Sequence, residues 1–458
     1  MSERVDMKLF VRLIVVVGLF VAYPVYAESL DLSTAYQKAV TYDAQLRIAK
    51  ADNLVSKEEV DKAISQFRPT VRLSASRGRN ETKSVNPTTN AYTGEKGYVH
   101  GDQFYNSKTY GVSVQQSLLN VSNFAEYKQA KAVAAKSEAI FLKEEKGLIM
   151  RLSEAYCNAL YSEDNLDFSR VHIKATLDQL QQTKRRFEKG FGTITEVSEA
   201  QAAYDMALAE GVDILNGLEI NRRELEHFTG VYPDKLSKLD PEKIVLERPD
   251  PADVESWVKL AQSDNYDVAA ARHEIQITKK EVDKQRASRY PVINLVAGRN
   301  YSDSDNNYII GSSYDTYSIG LQMSVPIYTG GYVSAAVRQA KAKRLKAQEQ
   351  LSWRERGVES DIRKYFNGVI SSISQIHAYD QAVKSSEIAL KGTQKGFLAG
   401  LRTNTEVLDA EQKLISNRRN LAKSRYQYIL NRLQLKDGVG TLSASDVEEI
   451  NGWLTVVK

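Results

Sequence analysis

One basic and two acidic residues near position 400 have the spacing of an electrostatic cluster. Arg402, Glu406 and Asp409 lie four and three positions apart, which places their side chains on one face of an α-helix. A guanidinium and a carboxylate one helical turn apart form an ion pair worth about 0.5 kcal/mol or less. An ordinary solvated helix surface has the same spacing, so these residues alone support both interpretations. Gly400 interrupts the helical pattern just before them and predicts a turn.

The rest of the sequence lacks the patterns of a catalytic or metal-binding site. No H-E-x-x-H, G-x-S-x-G, G-x-G-x-x-G or P-loop pattern occurs, and the five histidines show no metal-ligand spacing. The single cysteine, Cys157, lies in an apolar helical stretch where a packed thiol is expected. We therefore predict no enzyme activity, no catalytic residue, no metal site and no cofactor.

Composition excludes two broad classes of protein. The 458 residues include 62 Lys+Arg and 58 Asp+Glu, for a net charge of +4. This balance argues against a nucleic-acid-binding protein, which needs a basic face or tail. One cysteine excludes a disulfide scaffold. Two counts are unusual, because 25 tyrosines exceed 12 phenylalanines and only 9 prolines leave room for long uninterrupted helices.

Residues 1–27 have the features of a secretory signal peptide. Three basic residues precede an apolar run at 13–22, and the small residue Ala27 ends the segment. The apolar run is too short to cross a bilayer as a helix. We predict export of the chain, with cleavage before Glu28.

The remaining chain contains an internal twofold repeat. The KEEVDK segment at 57–62 recurs as KKEVDK at 279–284, and QAKA at 129–132 recurs at 339–342. Gly190 and the Thr-Glu-Val segment that follows it recur around Gly400 in the same order. Ordered matches of this kind indicate two structural repeats. We place the first repeat at 28–245 and the second at 252–458.

Hydrophobic periodicity predicts the same helices in each repeat. First helices at 32–67 and 254–289 stop before a proline, and proline-free helical runs cover 121–188 and 331–396. Each long run would measure about 100 Å as a continuous helix. Closing helices follow, with apolar seams on two sides, as expected in a wall of neighbouring helices.

Two hairpins of alternating strands precede the long helices. We place them at about 70–118 and 292–325, with strands of about ten residues and polar loops at 78–108 and 299–314. Alternating segments of this length with aromatic ends are typical of outer-membrane strands, although soluble hairpins with one apolar face are the alternative. Tyrosines that flank or begin the strands are candidates for an aromatic girdle: Tyr110, Tyr290, Tyr301, Tyr317 and Tyr328. The fold class is therefore predicted as mainly α with a small β part.

Four strands cannot close a transmembrane barrel, which needs at least eight. Open strand edges in lipid leave unpaired backbone groups at several kcal/mol each. A membrane-inserted version must therefore share its barrel among copies, and two, three or four copies would give about 8, 12 or 16 strands. The strand count alone does not choose among them.

The repeated order of elements, the prolines that end the first helices and the segment 396–410 (GFLAGLRTNTEVLDA) resemble the TolC family of outer-membrane channels. The resemblance covers almost the whole exported chain. It implies a homotrimer with a shared 12-stranded transmembrane β-barrel in outer-membrane lipid, four strands coming from each protomer. A long α-helical coiled-coil barrel would extend into the periplasm and close at its tip. It also implies two protein partners, a periplasmic adaptor and an inner-membrane ABC or proton-driven transporter.

The resemblance also identifies residues that would hold the periplasmic aperture shut. Its acids match Glu406 and Asp409, its arginine matches Arg402, and its Thr-acid pair matches Thr195 and Glu196. It implies an ion pair between Glu196 and Arg402, and rings of acids that favour cations. The family's tyrosine is replaced here by Phe397, which has no hydroxyl for the corresponding hydrogen bond.

The predicted function is therefore an exit duct that passes unfolded protein by type I secretion, or small molecules, across the outer membrane. The connector at 231–251 favours protein secretion. The alternatives are a duct for drugs or small molecules only, an adhesion or agglutination protein that acts through the polar loops, and a soluble periplasmic adaptor. The adaptor would leave the alternating strands unexplained.

Overall fold

The computed structural model describes residues 29–305 and 311–455. The predicted signal peptide lies outside the described residues. The helices are these: α1 Leu32–Tyr42, α2 Ala44–Ser65, α3 Val121–Glu188, α4 Ile194–Thr229, α5 Val254–Asp264, α6 Tyr266–Ala287, α7 Tyr332–Leu398, α8 Asn404–Val439 and α9 Ala444–Gly452. The strands are these: β1 Thr70–Thr89, β2 Lys96–Leu119, β3 Lys238–Leu239, β4 Val292–Ser304, β5 Ser312–Ser324 and β6 Leu454–Thr455.

The long helices α3 and α7 have 68 and 67 residues and organise the molecule. Toward the sheet, the helices that pack side by side are α2, α3, α6 and α7. At the other end the neighbours are α4, α3, α8 and α7. The prediction of a mainly helical fold with a small β part is confirmed. Among the described helices, none combines the length and apolarity needed to cross a bilayer.

Each predicted first helix is in fact two helices, which corrects the continuous helices at 32–67 and 254–289. Asp43 separates α1 from α2, and its carboxylate accepts a hydrogen bond from Leu46 N at 2.7 Å. Asn265 separates α5 from α6 and accepts from Val268 N at 3.1 Å. Short polar side chains of this kind compete with the helical backbone and begin a new helix as N-caps.

The strands are longer than about ten residues, and the described parts of the two polar loops, 78–108 and 299–314, are mostly strand. The β1–β2 ladder runs without a break from Thr70↔Gln115 to Thr89↔Lys96. β4 and β5 have 13 residues each. The outer parts of β1 and β2 are largely polar, with scattered apolar side chains such as Val85 and Phe104, so they lack the regular apolar alternation by which a strand is recognised in a sequence.

One antiparallel sheet joins the two repeats in the order β1-β2-β4-β5, so β1 and β5 are its edges. The register carries the apolar side chains of all four strands onto one surface, which we call the apolar face. Its members include Val71, Leu73, Val112, Val114, Leu295, Ala297, Ile319 and Leu321. Several of these side chains are exposed in the single chain.

The hydrophobic core lies near the middle of the long helices, where the short helices and the segment before α5 pack against them. Tyr156 is fully buried there, and its hydroxyl donates to the carbonyls of Leu30 and Ser237 at 3.0 and 3.1 Å. β3 pairs with β6, which ties the end of the chain to the joint between the repeats. The limits proposed for the repeats, 28–245 and 252–458, remain predictions.

Candidate functional site

The candidate site lies at the tip where α3 turns into α4 and α7 turns into α8. Gly190 and Gly400 adopt positive φ angles of 78° and 75° directly after the long helices. Each allows the chain to leave the helix in a left-handed conformation that a side chain would strain. The two repeats therefore fold into matching tip turns.

Each closing helix begins with the same reciprocal cap. Thr193 Oγ1 accepts from Glu196 N at 3.2 Å, and Glu196 Oε2 accepts from Thr193 N at 3.0 Å. In the second repeat Thr403 and Glu406 make the same pair of bonds, at 3.2 and 2.8 Å. Capping boxes satisfy free N–H groups at a helix start. Both acids thus have a local structural role in addition to the role that the sequence suggested.

Arg402 pairs with Glu406 within one chain. Its Nη1 lies 2.9 Å from Glu406 Oε1, on the exposed surface of the tip. The backbone hydrogen bond from Thr403 and the bond from Arg402 together lower the pKa of the Glu406 carboxyl. The expected Glu196–Arg402 ion pair is not made within the described chain. The reason is that the Glu196 carboxylate caps its own helix and Glu406 lies one turn from Arg402.

Phe397 is buried, although the position is close to the turn. Only 2% of its surface is exposed, and Arg186 covers its ring, with the guanidinium carbon 4.6 Å from the ring centroid. Arg186 Nη1 also donates to Phe397 O at 3.0 Å, and its Nη2 donates to Phe191 O at 3.4 Å. One guanidinium therefore binds the C-terminal end of α7, where the helix dipole favours a cation, and the turn that follows α3.

A buried polar cluster joins the two tip turns below Arg186. Asn404 is 1% exposed, and its Oδ1 accepts from Gln179 Nε2 at 2.6 Å and from Thr183 Oγ1 at 3.2 Å. Its Nδ2 donates to Glu196 O at 3.4 Å. Buried polar groups that satisfy one another fix a single arrangement of the elements that carry them.

The remaining predicted tip residues face solvent in the single chain. Thr195 and Asp409 are exposed, and Phe191 and Leu401 expose 74% and 81% of their surfaces beside them. Four further residues of the site were not predicted from the sequence: Arg186, Gln179, Thr183 and Asn404. No motif marks them, because their partners lie more than 200 residues away in the other repeat.

The predicted girdle tyrosines separate into two groups. Tyr110 and Tyr301 are opposite each other in the β2–β4 ladder and stack with ring centroids 6.4 Å apart. Tyr317 lies on the same face, on β5, under the guanidinium of Arg299. Tyr290 and Tyr328 are exposed just outside the strands, at the end of the sheet where the helices begin. Among the described residues no acidic, histidine or cysteine cluster could hold a metal ion.

Comparison with known proteins identifies the family to which this chain belongs. The model of a family described as outer membrane efflux protein matches residues 35–231 and 257–441, one segment in each half. The chain belongs to the outer membrane efflux protein family. A member of similar sequence, outer membrane protein TolC of Vibrio cholerae, is 32% identical over 437 residues that cover 95% of each chain.

Other relatives agree with this assignment. The alkaline protease secretion protein AprF of Pseudomonas aeruginosa is 31% identical over 92% of this chain and 87% of its own. The solved structure of the outer membrane protein VceC of Vibrio cholerae superposes with a TM-score of 0.74 at 21% identity, over 89% of this chain and 96% of that one. The predicted family, fold and outer-membrane location with a periplasmic helical extension are confirmed. Members of the outer membrane efflux protein family are transport ducts, and this chain is a channel of that kind.

Proposed function

We propose that three copies of this chain form one duct, with a shared 12-stranded β-barrel in the outer membrane and a helical tube in the periplasm. The observation that carries the proposal is the four-stranded sheet with two open edges, β1 and β5, and one apolar face. Burying that face in lipid is favourable only if the edges are paired, because unpaired backbone groups cost several kcal/mol each in a membrane.

The tip residues would then surround the periplasmic end of the duct. Thr195, Glu196, Phe397, Arg402 and the two acids of α8 each occur three times in a trimer. Glu406 and Asp409 would form rings of negative charge, which attract cations and repel anions at a narrow opening. Because the pair of Arg402 with Glu406 lies within one helical turn, Arg402 would hold the tip closed by pairing with carboxylates of a neighbouring protomer, and opening would require those pairs to separate.

Protein partners supply the energy and the substrate. We assign a periplasmic adaptor to the tip, where the exposed side chains of Phe191 and Leu401 offer an apolar surface. An inner-membrane ABC or proton-driven transporter would deliver cargo through the adaptor, and the duct itself would perform no catalysis. Outer-membrane lipid would surround the barrel.

The cargo that we favour is unfolded protein, exported by type I secretion. AprF, named for secretion of an alkaline protease, matches this chain over most of both lengths. PrtF of Dickeya chrysanthemi, named for secretion of proteases, is 27% identical over 93% of this chain. Efflux of small molecules only is the alternative.

Two measurements test the proposal. The mass of the detergent-purified protein should correspond to three copies, and a monomer would contradict the shared barrel. Deletion of the gene should remove specific proteins from the culture medium, whereas sensitivity to drugs with an unchanged set of secreted proteins would favour small-molecule efflux. Complementation with the intact gene is the control for the deletion.

A further inference from the structure

Two basic side chains face each other on the membrane-facing surface of the sheet. Arg77 of β1 is directly opposite Lys108 of β2 in the ladder, and Arg79 lies two residues further along β1 on the same face. Like charges at directly opposed positions repel and destabilise a strand pair. An arrangement of this kind on an exposed surface is stabilised when an anion binds between the cations.

The carboxylates nearby already have partners, and one of them, Asp303, pairs with Lys108 itself. Asp303 lies 3.2 Å from Lys108 Nζ, Asp305 accepts from Asn106 Nδ2 at 3.0 Å, and Glu81 pairs with Lys83 at 3.2 Å. Across residues 29–305 and 311–455, no ion pair or hydrogen bond involves the side chain of Arg77 or Arg79. Both guanidinium groups are exposed in the single chain.

The position of these cations along the strands fits the outer boundary of a membrane. Lys108 is two residues beyond Tyr110, which stacks on Tyr301, so the basic row lies about 7 Å outside the tyrosine row. Tyrosines on the lipid side of a barrel mark the level of the headgroups. The helices attach at the opposite end of the sheet, so this row belongs to the outer leaflet.

We infer that Arg77, Arg79 and Lys108 form a binding site for the phosphate monoester of a glycolipid headgroup in the outer leaflet, such as that of lipid A. The inference rests on the proposed function, because it requires the apolar face to contact lipid. A phosphate monoester carries more negative charge than the phosphodiester of an ordinary phospholipid, and its oxygens match the forked donors of two arginines.

The site would attach lipid to one defined place on the barrel, at the β1 edge. This is also the edge that must pair with the next copy of the chain in the proposed trimer. Asp303 already offsets the charge of Lys108, and a bound phosphate would supply the counter-charge for Arg77 and Arg79, so the lipid should stabilise the joint between protomers.

Native mass spectrometry of the purified full-length channel with added lipid A tests the site. The wild-type channel should retain lipid A in preference to dephosphorylated lipid A and to phosphatidylglycerol. The double variant Arg77→Gln/Arg79→Gln should bind lipid A about 25-fold more weakly, since each basic residue near an anionic surface contributes about a factor of five. Arg72→Gln is the matched control, because Arg72 is exposed on the same strand but on the opposite face.

The same spectrum separates failure of the site from failure of the proposed function. A trimer that binds lipid A equally well in the wild type and in the double variant would overturn the site and leave the channel intact. Equal retention of lipid A and its dephosphorylated form by the wild type would also overturn it. A wild-type protein that is monomeric in detergent would contradict the shared barrel and, with it, the site.

Discussion

Arg299 and Asp315 form a bidentate ion pair on the apolar face of the sheet. Arg299 Nε and Nη2 lie 3.0 and 2.8 Å from the two carboxylate oxygens of Asp315, and the guanidinium lies over the Tyr317 ring at 4.9 Å. The neighbour of Arg299 on β2 is Val112, so the arginine occupies a row that is otherwise apolar or aromatic. Its side chain reaches toward the next row, where Asp315 is level with the stacked tyrosines.

The first prediction concerns this pair. Asp315→Ala leaves Arg299 without a partner at the lipid surface and should destabilise the assembled barrel. The effect should be smaller than for an unpaired arginine at the bilayer midplane, because Asp315 is level with the stacked tyrosines near the headgroups. Thermal dissociation of the trimer in detergent or lipid bilayers measures the effect. The double variant Arg299→Leu/Asp315→Leu removes both charges and should recover most of the loss. If Asp315→Ala dissociates at the wild-type temperature, the pair does not lie in lipid.

The second prediction concerns Arg186 at the tip. Arg186→Met keeps the length of the side chain but removes its bonds to the carbonyls of Phe191 and Phe397 and its contact with the Phe397 ring. The two tip turns should separate more readily, and the single-channel conductance in planar bilayers should rise. Arg185→Met is the matched control, because Arg185 is exposed and its side chain, within the described residues, bonds only Gln181 of its own helix. Equal conductance of the two variants would show that Arg186 does not stabilise the closed state.

The third prediction follows from the lowered pKa of Glu406, caused by the backbone bond from Thr403 and the bond from Arg402. A carboxyl with a lowered folded pKa contributes stability above its unfolded pKa of about 4.3 and loses it as the pH falls through the folded value. Acidification below about pH 4.3 should therefore increase conductance in the wild type. Glu406→Gln keeps the cap and removes the charge.

Conductance should accordingly be higher in Glu406→Gln than in the wild type at pH 7, with a smaller change on acidification. Glu224→Gln, an exposed change far from the tip on α4, is the control for general effects of a lost carboxylate. A wild-type channel whose conductance is constant between pH 7 and pH 3 would show that the Arg402–Glu406 pair does not hold the tip closed.

The fourth prediction concerns ion selectivity. Asp409 is exposed beside the tip turn, and in a trimer three copies would face one opening. The double variant Glu406→Gln/Asp409→Asn should lower the preference for cations, measured as a shift of the reversal potential toward zero in a salt gradient. Asp213→Asn, on an exposed part of α4 remote from the turn, should leave the potential unchanged. An unchanged reversal potential in the double variant would show that Glu406 and Asp409 do not line the narrowest point of the channel.

The sequence indicated the architecture because its strongest signals are local. Glycines at positive φ, threonines three residues before glutamates, and proline-free runs each determine a turn, a cap or a long helix close to where they occur. The same local chemistry explains one error, because Asp43 has the features of an N-cap but lies inside an apolar pattern that continues on both sides.

Contacts between the repeats could not be predicted in the same way. Arg186 of α3 and Phe397 of α7 meet only when the two repeats pack against each other, and their residue types give no indication of a pair. The outer parts of β1 and β2 were missed because largely polar strands have no regular apolar alternation. Only pairing between backbones reveals them.

The shared barrel is tested most directly by joining its edges covalently. Within one chain, β1 and β5 are separated by two strands, so their backbones are about 14 Å apart and cannot be bridged by a disulfide. In a Cys157→Ala background, Ser76→Cys on β1 is combined in turn with Thr316→Cys, Ser318→Cys and Gln322→Cys on β5. Our account predicts that oxidation of at least one pair produces covalent trimers on a denaturing gel, and monomers for every pair would contradict it.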